Sequence, residues 1–180
     1  FDFRAYLRRL FEQRRAEPRD DLVTALVQTE EQGDRLSEEE LLATCVTLLV
    51  AGHETTTNLI ANGTLALLRN PEHMALLRAK PDLIGGAVEE MLRYDTSLQR
   101  NRRIVGEDLE FGGQRLRKGQ FVMQVIGAAN RDPAVFADPE RFDIMRNPNP
   151  HIGFGRGIHF CLGAPLARIE APLAIQSLLQ

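Results

Sequence analysis

This sequence of 180 residues contains few cysteines and carries only a small net charge. Its cysteines, Cys45 and Cys161, are too few and too far apart to form a disulfide framework, so we expect a reducing, cytoplasmic environment. The formal net charge of -3 does not favour a nucleic-acid partner, which usually demands a strongly basic surface. The most apolar run, residues 41–52, is too short to span a bilayer, so we expect no membrane anchor.

The remaining composition is that of a folded protein. Hydrophobic residues make up 43% of the sequence and charged residues 26%, which is typical of a globular domain rather than a disordered segment. The chain begins without methionine or signal peptide and ends abruptly at Gln180. We therefore expect residues 1–180 to be a single partial domain, truncated at both ends.

Apolar spacing, proline positions and capping residues predict a mainly α-helical fold with a minor β part. The predicted helices cover residues 3–15, 22–28, 38–69, 71–80 and 82–94, and a last helix begins near residue 162. Residues 103–125 contain short alternating stretches with glycines, which indicate small strands and turns. Residues 130–150 are rich in proline and are predicted to form a loop.

The longest predicted helix has a clear start and an unusual middle. Ser37 followed by Glu40 is a capping box, and no proline interrupts the chain before Pro71. A helix of roughly 32 residues would be about 48 Å long. Its middle is apolar on every side, so we expect it to cross a core. Asn70 before Pro71 predicts an N-cap followed by proline in the first turn of the next helix.

A glycine-rich segment near the end of the chain favours metal chemistry. Glycines at 153, 155 and 157 allow the backbone to turn tightly or to approach a flat ligand. Cys161 follows, where the last helix is predicted to begin, and a helix start favours a thiolate over a thiol. A thiolate bound to haem iron pushes electron density toward oxygen. The alternative for the cysteine alone is a structural residue in a glycine-rich turn.

The whole segment resembles the haem-binding signature of the cytochrome P-450 family, Phe-x-x-Gly-x-x-x-Cys-x-Gly. The matching residues are Phe154, Gly157, Cys161 and Gly163. The resemblance implies haem b (iron protoporphyrin IX) as cofactor, Cys161 as its axial metal ligand, and His159 as a hydrogen-bond donor to a haem propionate. It also places Phe154, Gly155 and Gly163 in the cofactor-binding loop.

The long helix carries a second motif of this family, Ala51-Gly52-His53-Glu54-Thr55. The small residues Ala51 and Gly52 would permit a flat cofactor to lie against the helix. Thr55 can bond back to a carbonyl one turn earlier, and an acid beside a hydroxyl can pass protons inward through water. Glu54 and Thr55 are therefore the predicted catalytic residues. The alternative is a helix whose polar residues face solvent.

A third motif, Glu90-x-x-Arg93, puts both side chains on one helix face. In the resembled family this pair is buried and is joined by an arginine from the meander that precedes the haem loop. The matching segment is residues 136–142, so the resemblance names Arg141 as the third structural member. A buried charge trio is costly, so its role would be to fix the core around the cofactor rather than to stabilise the fold.

Arg103 completes the predicted cofactor-binding set, because similar family members have an arginine there that pairs with a propionate. A guanidinium suits a carboxylate through its two-pronged donors. Arg102 is the second choice, and either residue could simply be solvated. One local departure is residues 95–99, where similar bacterial sequences usually have a proline, so the loop on the substrate side is not defined by the resemblance.

By this resemblance the chain is the C-terminal part of a bacterial-type cytochrome P-450. The implied fold has a long central helix, a Glu-x-x-Arg helix, a small β region, a meander, the cysteine loop and a following helix. The implied activity is monooxygenation of a small hydrophobic organic substrate, in a protein that is monomeric when full length. Electrons would come from NAD(P)H through a reductase and a ferredoxin-type donor. The alternatives are a peroxide-using or isomerising haem-thiolate enzyme and a truncated, non-catalytic haem-binding segment.

Overall fold

The computed structural model describes residues 2–29 and 36–180, with the backbone alone at residue 29. It divides into two compact units, Phe1–Glu54 and Thr55–Gln180. The helices are α1 (Phe3–Ala16), α2 (Leu22–Thr29), α3 (Glu38–Arg69), α4 (Pro71–Ala79), α5 (Ile84–Tyr94), α6 (Ile126–Ala129) and α7 (Ala164–Leu179). The strands are β1 (Asn101–Ile104), β2 (Leu109–Phe111), β3 (Gln114–Leu116) and β4 (Phe121–Gln124). The predicted mainly α fold with a small β region is confirmed.

The first unit is built from α1, α2 and the beginning of α3. Asp2 caps α1, and its carboxylate accepts a hydrogen bond from the backbone N–H of Ala5 at 3.1 Å. The apolar faces of the three helices meet in one cluster of buried side chains, which contains Leu7, Phe11, Val27, Leu41 and Leu42. This amphipathic pattern is the reason that the sequence predicted the first two helices correctly.

Helix α3 starts with the predicted capping box. The Ser37 N–H donates to the Glu40 carboxylate at 2.8 Å, and the Glu40 N–H donates to the Ser37 hydroxyl at 3.3 Å. The helix spans 32 residues without a break, as predicted. Because Glu38 to Glu40 all lie in its first turn, the negative charge faces the positive end of the helix dipole.

The middle of α3 differs from the prediction of a buried segment. Leu49 and Val50 are each 56% exposed in the structure. The physical reason is that each unit builds its core on a different end of the helix, with Leu41 in the first unit and Leu67 in the second. The apolar middle contributes to neither cluster. Among the described residues, no helix is long and apolar enough to cross a membrane.

The second unit packs α5 and α7 against each other and against the C-terminal half of α3. Its core contains Leu59, Ala66, Leu67, Leu77, Ala87, Val88, Met91, Leu92, Phe142, Ile144, Ala171 and Ile175. The contact between α3 and α5 is close at Gly63, where a Cβ atom would lie 2.4 Å from the Met91 sulfur. Glycine at this position therefore leaves room for the Met91 side chain.

The connections before α4 and on either side of α5 are short or irregular. Asn70 occupies the N-cap position of α4 as predicted, but its amide donates to the Ala66 carbonyl at 2.8 Å instead of capping α4. A single 3-10 turn, Pro81–Leu83, precedes α5, so α5 begins at Ile84, two residues later than predicted. After Tyr94 the chain enters two antiparallel strand pairs, β1 with β4 and β2 with β3.

The chain between α6 and α7, which is described throughout, contains neither an α-helix nor a strand, as the prolines predicted. Its core residues are Phe136, Phe142 and Ile144, which are at most 3% exposed and anchor the segment to the unit. A 3-10 turn, Gly157–His159, leads into Cys161. Helix α7 begins at Ala164, about two residues later than predicted, so Cys161 lies just before the N-terminal end of the helix, as expected.

Candidate functional site

The cysteine loop is folded back on itself by its own backbone. The Cys161 N–H donates to the Phe154 carbonyl at 2.9 Å, which closes a loop of the intervening residues. Gly155 and Gly157 have φ angles of +73° and +69°, a region that residues with a Cβ atom rarely adopt. The glycines of the motif are thus required by the turn itself. The result is a thiol that is exposed at the surface of its unit.

Apolar side chains surround this thiol in the sequence and are also exposed. Ile158 is 98% exposed, Leu162 is 87% exposed and Phe160 is 48% exposed. The loop therefore presents the Cys161 thiol together with exposed apolar side chains.

Glu90 and Arg93 form a completely buried ion pair on α5. Both side chains have an exposure of 0%, and the guanidinium reaches the carboxylate through Nε and Nη2, each at 2.8 Å. Arg93 also donates to the backbone carbonyls of Asn130 (3.0 Å), Pro139 (2.8 Å) and Arg141 (3.0 Å). All five N–H groups of the guanidinium are therefore used.

The third arginine of this network is Arg146 and not the predicted Arg141. The Arg146 Nε atom lies 3.2 Å from the Glu90 carboxylate, and the Arg146 side chain is only 11% exposed. The Arg141 side chain is 64% exposed, and its acidic partner is Asp143 at 3.9 Å. Arg141 contributes its backbone carbonyl instead. The path of the loop decides this, because it turns the Arg141 side chain to solvent and brings Arg146 back over α5.

A second network involves Glu89, the residue beside Glu90. The Glu89 carboxylate accepts hydrogen bonds from Arg168 Nε at 2.6 Å and Nη2 at 2.9 Å, and it lies 2.9 Å from His151 Nε2. Burial would raise the pKa of Glu89, but the bonds from Arg168 and His151 outweigh it and hold the pKa at about 2. Sequence reasoning did not identify Glu89, His151 or Arg168.

The motif residues of α3 lie in the middle of that helix. Ala51, Gly52 and Glu54 are exposed and Thr55 is half-buried, with the division between the two compact units falling after Glu54. A Cβ atom added at Gly52 would meet no other atom within 4 Å, so the helix surface is open there. This open surface of small residues can accept a flat group. Their assignment to cofactor binding and proton transfer stays a prediction.

The predicted propionate ligands are all at the surface. Arg103 lies on β1, exposed, and its Nη1 donates to the Arg102 carbonyl at 3.0 Å. The Arg102 guanidinium lies 5.7 Å from the centre of the Phe121 ring, which is a cation–π contact. Arg103 makes no such ring contact in the described residues, so its guanidinium is the more available of the two for a propionate. His159 is exposed in the 3-10 turn before Cys161. Their contact with a propionate stays a prediction.

The donor set of the described residues fits haem better than a bare metal ion. Among them, no group of three or more His, Cys, Asp or Glu side chains is arranged to hold a metal. A porphyrin iron brings its own nitrogen ligands, so it suits a site at which the protein offers one thiol. The exposed Cys161 thiol in its glycine-turned loop is chemically suited to ligate such a group. These features fit a haem-thiolate protein.

Comparison with known proteins agrees with this class. The family model described as Cytochrome P-450 matches residues 2–86 and 82–180. The chain therefore belongs to the cytochrome P-450 family. The chain is 49% identical over 176 residues to the biotin biosynthesis cytochrome P-450 of Bacillus subtilis, covering 98% of this chain and 44% of that protein. It is 50% identical over 177 residues to the cytochrome P-450 monooxygenase PikC of Streptomyces venezuelae, covering 97% and 42%.

The fold agrees as well as the sequence. The structure of the BioI cytochrome P-450 in complex with hexadec-9Z-enoic acid ligated acyl carrier protein superposes with a TM-score of 0.92 and is 49% identical. The superposition covers 98% of this chain and 45% of that one. The predicted P-450 fold is confirmed. The chain spans less than half of the length of the relatives that it matches.

Proposed function

We propose that the protein is a haem-thiolate monooxygenase in which Cys161 is the axial ligand of haem b. Substrate-H, dioxygen, two electrons and two protons would give substrate-OH and water. The observation that carries the proposal is the exposed Cys161 thiol at the end of a loop closed by its own N–H bond to Phe154. Haem would supply the oxygen chemistry, and the chain would supply ligation, electrostatics and proton transfer.

The roles of the other residues follow from their positions and from the family motifs. Gly52 leaves open space on α3 beside the exposed Ala51, where a flat ring would lie. Glu54 and Thr55 would hold and move a proton at the Thr55 hydroxyl. Arg103 and His159 would donate to the propionates, and both are exposed and able to do so.

The proposed electron donor is a ferredoxin-type protein reduced by NAD(P)H through a reductase. Exposed Arg156 lies in the cysteine loop, and positive charge there would steer an acidic donor toward the thiolate side. The proposed substrate is a small hydrophobic organic molecule. The related BioI structure, which holds a hexadecenoic acid on a carrier protein, supports an apolar substrate class. The free state of Cys45 and Cys161 supports a reducing cytoplasm.

A peroxide-using haem-thiolate enzyme is the alternative that keeps the cofactor. Glu54 and Thr55 argue against it, because an acid and a hydroxyl for proton transfer serve oxygen activation. A non-catalytic segment is the alternative for this chain by itself. A haem titration of residues 1–180 would distinguish that alternative, since only a preorganised site gives tight, saturable binding with a thiolate spectrum.

The test of the proposal is the carbon monoxide spectrum of the complete polypeptide that contains this sequence. The reduced protein with haem should show the strongly red-shifted band that thiolate ligation produces. Cys161→His should abolish the band. Cys45→Ser is the matched control and should retain it, because Cys45 is a half-buried residue of α3 in the first unit. Retention of the band in Cys161→His would refute the assignment.

A further inference from the structure

The network around Glu89 connects three separate parts of the second unit. Glu89 belongs to α5, Arg168 to α7 and His151 to the loop that precedes Cys161. Arg168 donates two parallel N–H bonds to the Glu89 carboxylate. Such bidentate, charge-assisted pairs are stronger than neutral hydrogen bonds and fix the relative orientation of the two groups. The Glu89 side chain is 29% exposed and that of His151 only 4%, so the bonds are partly shielded from water.

His151 connects Glu89 to the backbone of the cysteine loop. The Gly153 N–H donates to His151 Nδ1 at 3.1 Å, so Nδ1 carries no proton. The imidazole is therefore the tautomer with its proton on Nε2, and that N–H donates to Glu89 at 2.9 Å. Gly153 itself is confined, because a Cβ atom there would lie 3.1 Å from the Leu92 carbonyl. The Gly153 backbone is therefore restrained by its bond to His151 and by its close packing against the Leu92 carbonyl.

Arg168 connects Glu89 to Phe154, the residue that follows Gly153. Its guanidinium carbon lies 4.8 Å from the centre of the Phe154 ring, which is a cation–π contact. The Phe154 carbonyl in turn accepts the Cys161 N–H at 2.9 Å. A continuous chain of contacts therefore leads from Glu89 through Arg168 and Phe154 to the backbone of Cys161. The pKa of Arg168 is raised, chiefly by its bond to Glu89, although burial opposes this.

We propose that Glu89, His151 and Arg168 form a clamp that positions the Cys161 loop for ligation of the cofactor. This inference rests on the proposed function, because it concerns the geometry of the thiolate. The three are positioning residues, and none is proposed to touch the reacting atoms. The loop needs such a restraint, since Gly155 and Gly157 give its backbone a freedom that other residues lack. Its side chains at 158 and 162 are exposed and cannot anchor it.

The experiment measures how long the thiolate stays bound. The complete polypeptide is loaded with haem, reduced and exposed to carbon monoxide. The decay of the red-shifted band into the unshifted band is then followed at a fixed temperature below unfolding. Glu89→Gln and Arg168→Ala are each expected to accelerate this decay by about tenfold or more, the effect of losing one charge-assisted bond.

The matched control is Glu140→Gln, which removes the same charge from another arginine-paired carboxylate of the second unit. Glu140 pairs with Arg131, which lies outside the cysteine loop. Thermal unfolding by circular dichroism is measured for every variant. The clamp variants should lose the band faster than Glu140→Gln does, even where the melting temperatures are equal. A role in general stability alone would instead make the decay follow the melting temperature.

Arg168→Lys tests whether geometry or charge matters. Lysine keeps the charge but has neither the fork nor the planar face, so it should resemble Arg168→Ala. Full rescue by lysine would overturn the clamp, and so would decay rates equal to that of the Glu140→Gln control. If the unchanged protein has no red-shifted band, the proposed function fails instead, so the two failures can be told apart.

Discussion

The arginine that completes the Glu90 network can be tested by a matched pair of substitutions, Arg146→Ala and Arg141→Ala. Both remove one guanidinium from the same loop and leave the backbone in place. The structure gives the two side chains different surroundings, since that of Arg146 is 11% exposed and that of Arg141 is 64% exposed. We expect Arg146→Ala to be clearly the more destabilising change.

The magnitude follows from the contacts that each side chain makes. Arg146 donates a charge-assisted bond from Nε to Glu90 Oε1 at 3.3 Å, and further bonds to the carbonyls of Ala137 and Asp138 at 2.7 and 3.2 Å. Glu90 would still keep both bonds from Arg93, so the cost stays below the about 3–5 kcal/mol of an orphaned buried charge. One lost bond to a charged group gives about 1.5–3 kcal/mol. Arg141→Ala should cost at most about 0.5 kcal/mol, as for other exposed side chains.

The assay is urea unfolding of the complete polypeptide with haem bound, followed by circular dichroism. A lower midpoint with an unchanged slope would show that stability changed and not the denatured state. Arg141→Ala also tests the network, because Arg93 bonds the backbone carbonyl of residue 141, which alanine retains. Equal losses for both variants, or a larger loss for Arg141→Ala, would contradict the assignment of Arg146.

Two further outcomes are expected. Thr55→Ala should leave folding and haem content unchanged but lower the ratio of hydroxylated product to NAD(P)H consumed, with more hydrogen peroxide released; a ratio equal to that of the parent would place the proton relay elsewhere. Glu89 has a pKa of about 2 against an ordinary 4.5, so its contribution to stability is complete above about pH 4.5 and is lost as the pH falls toward 2. Glu89→Gln should therefore flatten the acid side of the curve of unfolding free energy against pH in that window, and an unchanged curve would show that the carboxylate is not the group being protonated.

The helices could be predicted because their signals are local. The capping box at Ser37 and Glu40 marks the start of α3. The proline after Asn70 marks the end of α3 and the start of α4, and the proline after Lys80 marks the end of α4. Burial could not be predicted in the same way. The apolar middle of α3 shows this, because its exposure depends on which other segments reach it.

The glycine-rich cysteine loop was also predictable, since the turn requires glycine at residues 155 and 157 whatever surrounds it. The third arginine was not. A motif match gave Arg141, whereas the choice between residues 141 and 146 depends on the path of a loop without regular structure. A sequence contains no local signal for that path.

The Glu89 network had one signal that was available in the sequence. Consecutive residues on a helix point about 100° apart, so two adjacent acids cannot both face the same neighbours. Once Glu90 is assigned to a buried pair with Arg93, Glu89 must point toward a different part of the protein. Its partners, however, are 62 and 79 residues away in sequence, and no spacing rule connects them.

This difference in direction lets one turn of α5 hold two successive segments of the chain. Glu90 and the Arg93 beside it bind the loop from residue 130 to residue 149. Glu89 binds the next segment at His151 and then the last helix at Arg168. Buried ion networks rarely increase net stability, because desolvation offsets the attraction between the charges. We expect their effect to be on which conformation is adopted, since the observed path of the loop satisfies both carboxylates. We therefore expect that removing the Glu89 contacts would release the position of Cys161 while the Glu90 network still holds the preceding loop.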